Sequence, residues 1–257
     1  HAKWWGYAKT PIPIPSHGDV VVKYAANVQT FNTEENPFPS AIVERNDFRL
    51  ASGNFLAFDF DTGLIVGYVV TNHRVYVLYQ RVPQLEAPAP VKASTYAAFT
   101  FVVPVKIRRV CDWHDLEVVF HGDTHEISYH LDDQEVFVIN QVGFRLSRDY
   151  MVEDDGGNEE LVWPETIQYG FGTFSGLDYY PSCQRAESCR TCRYPFIREA
   201  LVQLNDGVQY TQYNPIFGPN TPAVFYDTTS LESNKIWGQG TVTKIRKLIA
   251  YQRLPVC

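Results

Sequence analysis

Apolar and polar residues alternate with a period of two along most of the chain, which is the pattern of half-buried β-strands. The first predicted strands cover residues 20–31, 53–60, 64–70 and 74–82. Short polar turns at 61–63 and 72–73 join the last three strands into a predicted antiparallel meander.

The alternation continues in the second half of the chain. Strands are predicted at residues 95–107, in three segments between 113 and 139, at 167–180 and at 238–254. Turns are predicted at 122–123 and 132–133, and Pro104 indicates a sheet edge or a bulge. The acidic run 153–160 is predicted to be a loop, and 195–205 is the stretch with helical spacing. We therefore predict one all-β domain over residues 1–257, a two-sheet antiparallel β-sandwich (jelly roll) with at most one or two short helices.

Composition and charge narrow the class of partner. Tyr and Phe number 16 each against a single Met, which suits a pleated core. The net charge is −7 and the chain has no basic stripe, so we expect no nucleic-acid partner. The apolar runs are of strand length, so we expect no membrane span. These features indicate neither a compartment nor an oligomeric state.

Cysteine usage does not indicate a metal centre. Of the five cysteines, Cys183, Cys189 and Cys192 lie close together, and the cluster has no histidine. A structural zinc site needs four ligands, so the pattern favours a disulfide-bearing or reduced loop. The oxygen-rich run 153–160 could suit calcium, but it lacks the alternate spacing of a calcium loop. We therefore predict no metal site and no cofactor.

One segment carries a family resemblance. Residues 113–139 begin with Trp113-His114, alternate through two apolar strands and turn at Asp132-Asp133 before Val136. This order resembles a structural hairpin of the concanavalin A-like lectins and glucanases, and the closing strand 238–254 resembles the last strand of that superfamily. The resemblance implies a jelly-roll sandwich and a site for a saccharide or another small organic molecule.

The whole chain also resembles an uncharacterised family of bacterial and fungal proteins. The shared runs are NPF (36–38), DFRLA (47–51), AAFTFVVPV (97–105) and GFGTFSGLD (170–178). That resemblance implies the fold and no activity. The run WGQGTVT (237–243) is similar to the last strand of an antibody variable domain, but the spacing of cysteine and tryptophan in that domain is absent.

The candidate acid-base residues do not follow the hydrolase pattern. Glucanases of this superfamily carry E-x-D-x-(x)-E on one strand, because two carboxylates must flank the glycosidic oxygen, and no such run occurs here. Asp59 is a candidate, although an Asp in this position also caps turns. Four of the seven histidines lie between 114 and 130, and His130 is the second candidate. Tyr129, its neighbour, is the third.

A set of aromatic side chains around one arginine predicts the ligand contacts. Rings supply stacking faces, and a buried arginine requires a carboxylate or an anionic ligand. The predicted contacts are Tyr79, Arg81, Phe99, Phe101, Tyr169 and Phe171. We expect them to line a concave sheet, and we favour an enzyme. The alternatives are a lyase, isomerase or cyclase with a closed aromatic pocket, and a structural protein without a small-molecule site.

Overall fold

The computed structural model describes residues 2–34, 47–83, 95–176, 212–213, 222–223 and 239–254. Within these ranges nearly all regular structure is β, with a 3₁₀ turn at Arg148–Tyr150. The strands are β1 Ala2–Tyr7, β2 Ile12–Pro13, β3 Asp19–Phe31, β4 Ser52–Asp59, β5 Leu64–Val70, β6 Arg74–Arg81, β7 Ala98–Ile107, β8 His114–His121, β9 Glu126–Leu131, β10 Gln134–Ile139, β11 Met151–Gly156, β12 Thr166–Phe174, β13 Gln212–Tyr213, β14 Pro222–Ala223 and β15 Gly240–Arg253. In the described part of the chain, no helix has the length and hydrophobicity needed to cross a membrane.

Two antiparallel sheets form the sandwich, as predicted. The larger has the order β1-β12-β4-β5-β6-β7-β11, and β2 also pairs with β12. The smaller has the order β10-β9-β8-β3-β15, and β13 and β14 pair separately. The predicted meander is β4-β5-β6, and the hairpin pattern of residues 113–139 is β8-β9-β10. The fold class is confirmed.

The core lies between the sheets, but the larger sheet also buries its outer face. Phe55 and Ala57 of β4 belong to the intersheet core. Leu56 and Phe58 of the same strand belong to a second buried cluster on the outer face, with Tyr76 of β6. A strand buried on both faces reads as a continuous apolar run, and all eight residues of β4 are buried.

Tyrosine side chains connect the two sheets through the core. Tyr129 of β9 donates its hydroxyl to the Leu78 carbonyl of β6 at 2.9 Å. Tyr68 of β5 donates in the opposite direction, to the His130 carbonyl at 2.7 Å. The hydroxyl of Tyr24 lies within 3.1 Å of two carbonyls of the larger sheet. These bonds let large rings fill the core without leaving a polar group unpaired.

The β9–β10 turn forms where it was predicted. Asp132 and Asp133 have φ values of 54° and 63°, which Asp tolerates better than most residues. The Asp132 carboxylate accepts hydrogen bonds from Lys106 and from the Asp115 backbone. Partial burial alone would raise the pKa of Asp132, but its hydrogen bonds, first that from Lys106, hold it below the ordinary value.

Some local predictions need correction. The run 153–160 was predicted to be a loop, yet β11 continues through Gly156, because it pairs with β7. β1 and β2 were not predicted. Pro104 does lie beside a shift of register between β6 and β7, as expected for a bulge. The predicted helix at 195–205, the three clustered cysteines and the run NPF (36–38) lie outside the described residues.

Candidate functional site

A pocket of about 240 Å³ opens at one edge of the sandwich, between the ends of the two sheets. Its walls are Trp4 of β1, residues 173–175 at the end of β12, residues 239–241 at the start of β15, and Ala51. Antiparallel pairing positions these segments, because Trp4 is the partner of Thr173 and Thr241 is the partner of Thr30. We call this cavity the Trp4 pocket.

An exposed aromatic ring forms one wall of the Trp4 pocket. Trp4 is 57% exposed although it lies in a paired strand. Its ring is held by Phe171 of β12, with the ring centroids 5.5 Å apart. The neighbouring Trp5 points to the opposite face of the sheet and packs on Phe58. Trp4 therefore presents a supported, solvent-accessible ring, which is suited to stacking against a ligand.

The opposite wall carries polar atoms without partners. Gln239 accepts a hydrogen bond from the Ala51 backbone through Oε1, at 2.7 Å. Its Nε2 and the Oγ1 of Thr241 are buried and have no hydrogen-bond partner among the residues that the structure describes. Leaving a buried polar group unpaired costs about 1–3 kcal/mol. A ligand that bonded these two atoms would recover part of that cost.

Size and charge define the kind of ligand that fits. Among the described residues, all the side chains lining the Trp4 pocket are uncharged. Pockets for drug-sized ligands measure about 300–1,000 Å³, so a volume of about 240 Å³ suits one small ring. The pocket offers a ring for stacking on one wall, and amide and hydroxyl groups on the other. This combination suits a neutral ligand that carries several hydroxyl groups.

The predicted aromatic contacts lie elsewhere. Tyr79, Phe99 and Phe101 are fully buried in the intersheet core and pack on one another, with centroid distances of 5.0–6.2 Å. The Tyr79 hydroxyl donates to the Phe144 carbonyl and accepts from the Gly143 amide. The expected placement on an open concave face is therefore corrected. Both faces of this sheet are apolar, so alternation alone does not show which face is the inner one.

Arg81 has the carboxylate partner that its burial required. Its Nη2 lies 3.0 Å from Glu160 Oε1, and its Nε donates to the Thr62 carbonyl. The guanidinium also lies 3.8 Å from the centroid of the Tyr96 ring. The Arg81 side chain therefore joins the β4–β5 turn to the acidic segment after β11.

The three candidate acid-base residues occupy three different environments: a turn, the buried core and the outer face of a sheet. Asp59 caps the β4–β5 turn, since its Oδ2 accepts from the amide and the hydroxyl of Thr62 at 2.9 and 2.6 Å. Tyr129 is completely buried, and that burial raises its pKa well above the ordinary value. Its hydroxyl therefore stays protonated at neutral pH. His130 lies on the outer face of the smaller sheet, where its Nε2 is 3.0 Å from Ser128 Oγ.

The last two predicted contacts lie on β12. Tyr169 and Phe171 are partly buried and pack against the intersheet core. Phe171 reaches the Trp4 pocket indirectly, because it supports the Trp4 ring. Of the predicted contacts, Phe171 is thus the one that we place next to the pocket.

The acidic segment 153–160 is paired with arginines. Asp154 Oδ1 accepts from Arg145 Nη2 at 2.9 Å, and Arg145 also lies near Glu159. Within the described ranges, no group of three or more His, Cys, Asp or Glu side chains is arranged to hold a metal ion. Cys111 is exposed, and it forms no disulfide with any residue that the structure describes.

The Trp4 pocket was not predicted from the sequence, because its walls come from four distant segments. Residues 239–241 belong to the run WGQGTVT, which was noticed for its similarity to an antibody strand. The adjacent Trp4-Trp5 pair is a usable signal, because consecutive residues of a strand face opposite sides of the sheet, so a large ring is present on each side.

Comparison with known proteins identifies a family. A model described as a family of unknown function (DUF6081) matches residues 1–250. An uncharacterized protein of Acanthamoeba polyphaga mimivirus is 24% identical over 333 aligned positions, which cover 99% of this chain and 76% of the viral protein. Neither match carries a described activity.

Solved structures give weak similarities. The Bacillus licheniformis β-glucanase is 9% identical, with a TM-score of 0.33, and the match covers 68% of this chain and 60% of that one. The Emp47p carbohydrate recognition domain is 10% identical, with a TM-score of 0.34, and the match covers 67% of this chain and 69% of that one. Similarities this low assign no chemistry to the chain, whose fold is defined by its own strand pairing.

Proposed function

The chain belongs to the family of unknown function DUF6081, and from the geometry of the Trp4 pocket we propose that it binds a saccharide or a similar neutral polyhydroxylated molecule. One observation carries the proposal. An exposed, supported tryptophan ring lines one cavity together with Gln239 and Thr241, which carry a buried amide nitrogen and a buried hydroxyl without a hydrogen-bond partner among the described residues.

A sugar ring offers a complementary pair of surfaces. Its axial C–H groups form a flat apolar face that can lie on the Trp4 indole. Its hydroxyls both donate and accept, so they can bond Gln239 Nε2 and Thr241 Oγ1 together. The absence of charge on the lining residues disfavours phosphorylated or carboxylated ligands, which would enter the pocket without a counter-charge.

The pattern of side chains on β15, the strand that supplies the polar wall, supports the proposal. Thr241, Thr243 and Ile245 pair with Thr30, Val28 and Ala26, so they share the face that looks toward the other sheet. The two hydroxyl-bearing residues are at the pocket end of this row. The row is therefore polar at the edge of the sandwich and apolar inside.

The test is a glycan array followed by calorimetric titration of the best saccharide. We expect saturable binding by the wild-type chain and a loss of at least about tenfold in Trp4→Ala, equal to about 1.4 kcal/mol. Gln239→Glu keeps the oxygen that the Ala51 amide needs and removes the free N–H donor. Thr241→Val removes only a hydroxyl. Each should weaken binding about 5- to 30-fold.

Trp113→Ala is the matched control. Trp113 is also exposed, at 38%, but it stacks with Arg246 away from the pocket. It should leave binding unchanged. Equal losses in Trp4→Ala and Trp113→Ala, or full binding in all three pocket variants, would overturn the proposal.

A further inference from the structure

A second group of polar side chains lies on the outer face of the smaller sheet. It comprises Asp19, His121, Ser128 and His130, which we call the histidine row. Asp19 and His121 are direct cross-strand partners on β3 and β8. Ser128 is a diagonal neighbour of His121 on β9, and His130 follows two residues later on the same face.

The four side chains form one continuous hydrogen-bonded chain. His121 Nδ1 lies 2.8 Å from Asp19 Oδ1, and His121 Nε2 lies 2.8 Å from Ser128 Oγ. Ser128 Oγ lies 3.0 Å from His130 Nε2. The row is anchored at its other end by Arg253 of β15, whose Nε and Nη2 donate to Asp19 Oδ2 at 2.8 and 2.6 Å.

The hydrogen bonds fix which atom donates when His121 is neutral. Asp19, paired with Arg253, is a carboxylate and can only accept, so His121 Nδ1 carries the proton. His121 Nε2 then accepts, and the only proton available to it is that of the Ser128 hydroxyl. Ser128 Oγ accepts in turn from His130 Nε2–H. The tautomers of both imidazoles follow from this order.

This order of donors is the one that activates a serine. An imidazole held in the Nδ1–H tautomer by a carboxylate has its Nε2 free to take the proton of a serine hydroxyl, and such triads are recognised by geometry and roles on unrelated folds. We propose that Ser128 is a nucleophile for acyl transfer to water from a small ester, with His121 as its general base.

The step balances without a cofactor. Ser128 Oγ forms a bond to the ester carbonyl carbon, and its proton moves to His121 Nε2. The bond from that carbon to the leaving alcohol oxygen breaks, and the alcohol takes the proton from His121. Water then releases the acid by the same route. His130 Nε2–H, already 3.0 Å from Ser128 Oγ, can turn to the carbonyl oxygen as its charge develops.

Burial limits the substrate to a small acyl group. Ser128 is 2% exposed, whereas the His121 side chain is 28% exposed. A substrate therefore approaches over the imidazoles and must displace the His130 ring from the hydroxyl. This site is separate from the Trp4 pocket. Asp19 and Thr30, the strand positions nearest the two sites, are eleven residues apart on β3, or roughly 35 Å.

The test uses diisopropyl fluorophosphate, a small probe that phosphorylates an activated serine with loss of fluoride. The full chain is incubated with the probe, and the adduct is located by peptide mass mapping. We expect one adduct, on Ser128. His121→Gln should slow labelling at least 100-fold. His17→Gln is the matched control and should label at the wild-type rate, because His17 lies 2.7 Å from Asp123 in an exposed pair outside the row.

Asp19 is a positioning residue, and its role has a spectroscopic readout. Asp19→Asn should slow labelling by roughly 10⁴-fold, and the ¹⁵N shifts of His121 should move from the Nδ1–H to the Nε2–H tautomer. Absence of an adduct on Ser128 in the folded wild-type chain, or labelling of His121→Gln at the wild-type rate, would overturn the proposal. None of the four residues of the histidine row lines the Trp4 pocket, so this test is independent of the saccharide proposal.

Discussion

Replacing Tyr129 by Phe removes one oxygen atom from the centre of the sandwich. The Tyr129 side chain has no exposed area, and its hydroxyl donates to the Leu78 carbonyl on the opposite sheet at 2.9 Å. Phe fills the same space, so no cavity forms beyond the missing hydroxyl. The carbonyl loses a buried hydrogen bond, and we expect the free energy of unfolding to fall by about 1–3 kcal/mol.

Urea denaturation followed by tryptophan fluorescence measures this change. The midpoint should decrease while the slope m stays constant, because the area exposed on unfolding is the same. Tyr251→Phe is the control, since Tyr251 is 42% exposed on the edge strand β15, and its effect should stay within about 0.5 kcal/mol. A Tyr129→Phe variant as stable as the wild type would refute the idea that these tyrosines hold the sheets together.

Two further substitutions test the backbone and the charges. Gly67→Ala should lower the free energy of unfolding, measured by thermal denaturation, by about 3 kcal/mol or more. Gly67 has a φ of 150°, and a Cβ there would lie 2.0 Å from the Phe55 carbonyl oxygen. Gly240→Ala is the control and should be nearly neutral, because a Cβ at Gly240 would meet nothing within 4 Å. The pKa of Asp132 is lowered in the folded state, so its carboxylate stabilises the folded chain. This stabilisation is fully present above the unfolded pKa of about 3.9 and is lost as the pH falls through the folded pKa. Asp132→Asn should therefore be less stable at pH 7 and lose less stability than the wild type between pH 5 and pH 3; parallel pH profiles would contradict this sign.

The strands could be predicted from the sequence because alternation and turn residues are local signals. The β4-β5-β6 meander and the β8-β9-β10 hairpins form where turn chemistry and period-two patterns agree. Strand β1 was not predicted, because its sequence AKWWGY has two large aromatic residues side by side. Neither face of the strand is therefore clearly polar.

The inner face of the larger sheet could not be chosen from the pattern. Phe55 and Leu56 are consecutive and both buried, one between the sheets and one on the outer face. A sheet covered on both sides gives no polar stripe to mark its exterior. For this reason the aromatic set around Tyr79 was predicted to line a ligand site, whereas the structure shows it packed in the core.

The candidate sites depend on long-range pairing. The Trp4 pocket joins residues near positions 4, 51, 174 and 240, and the histidine row joins Asp19 to residues about 100 positions later. The period-two pattern alone puts Ser128 and His130 on one face of a strand. It did not place Asp19 or His121 beside them, because strand order is set by tertiary packing.

The most direct test of ligand binding in the Trp4 pocket is ¹⁹F NMR of the full chain carrying 5-fluorotryptophan at its five tryptophans. Trp4→Phe and Trp113→Phe assign the two signals that matter. During titration with the saccharide selected by the array, the Trp4 signal should shift and saturate while the Trp113 signal stays in place. A titration in which the Trp4 signal does not move, although the saccharide binds, would contradict the account.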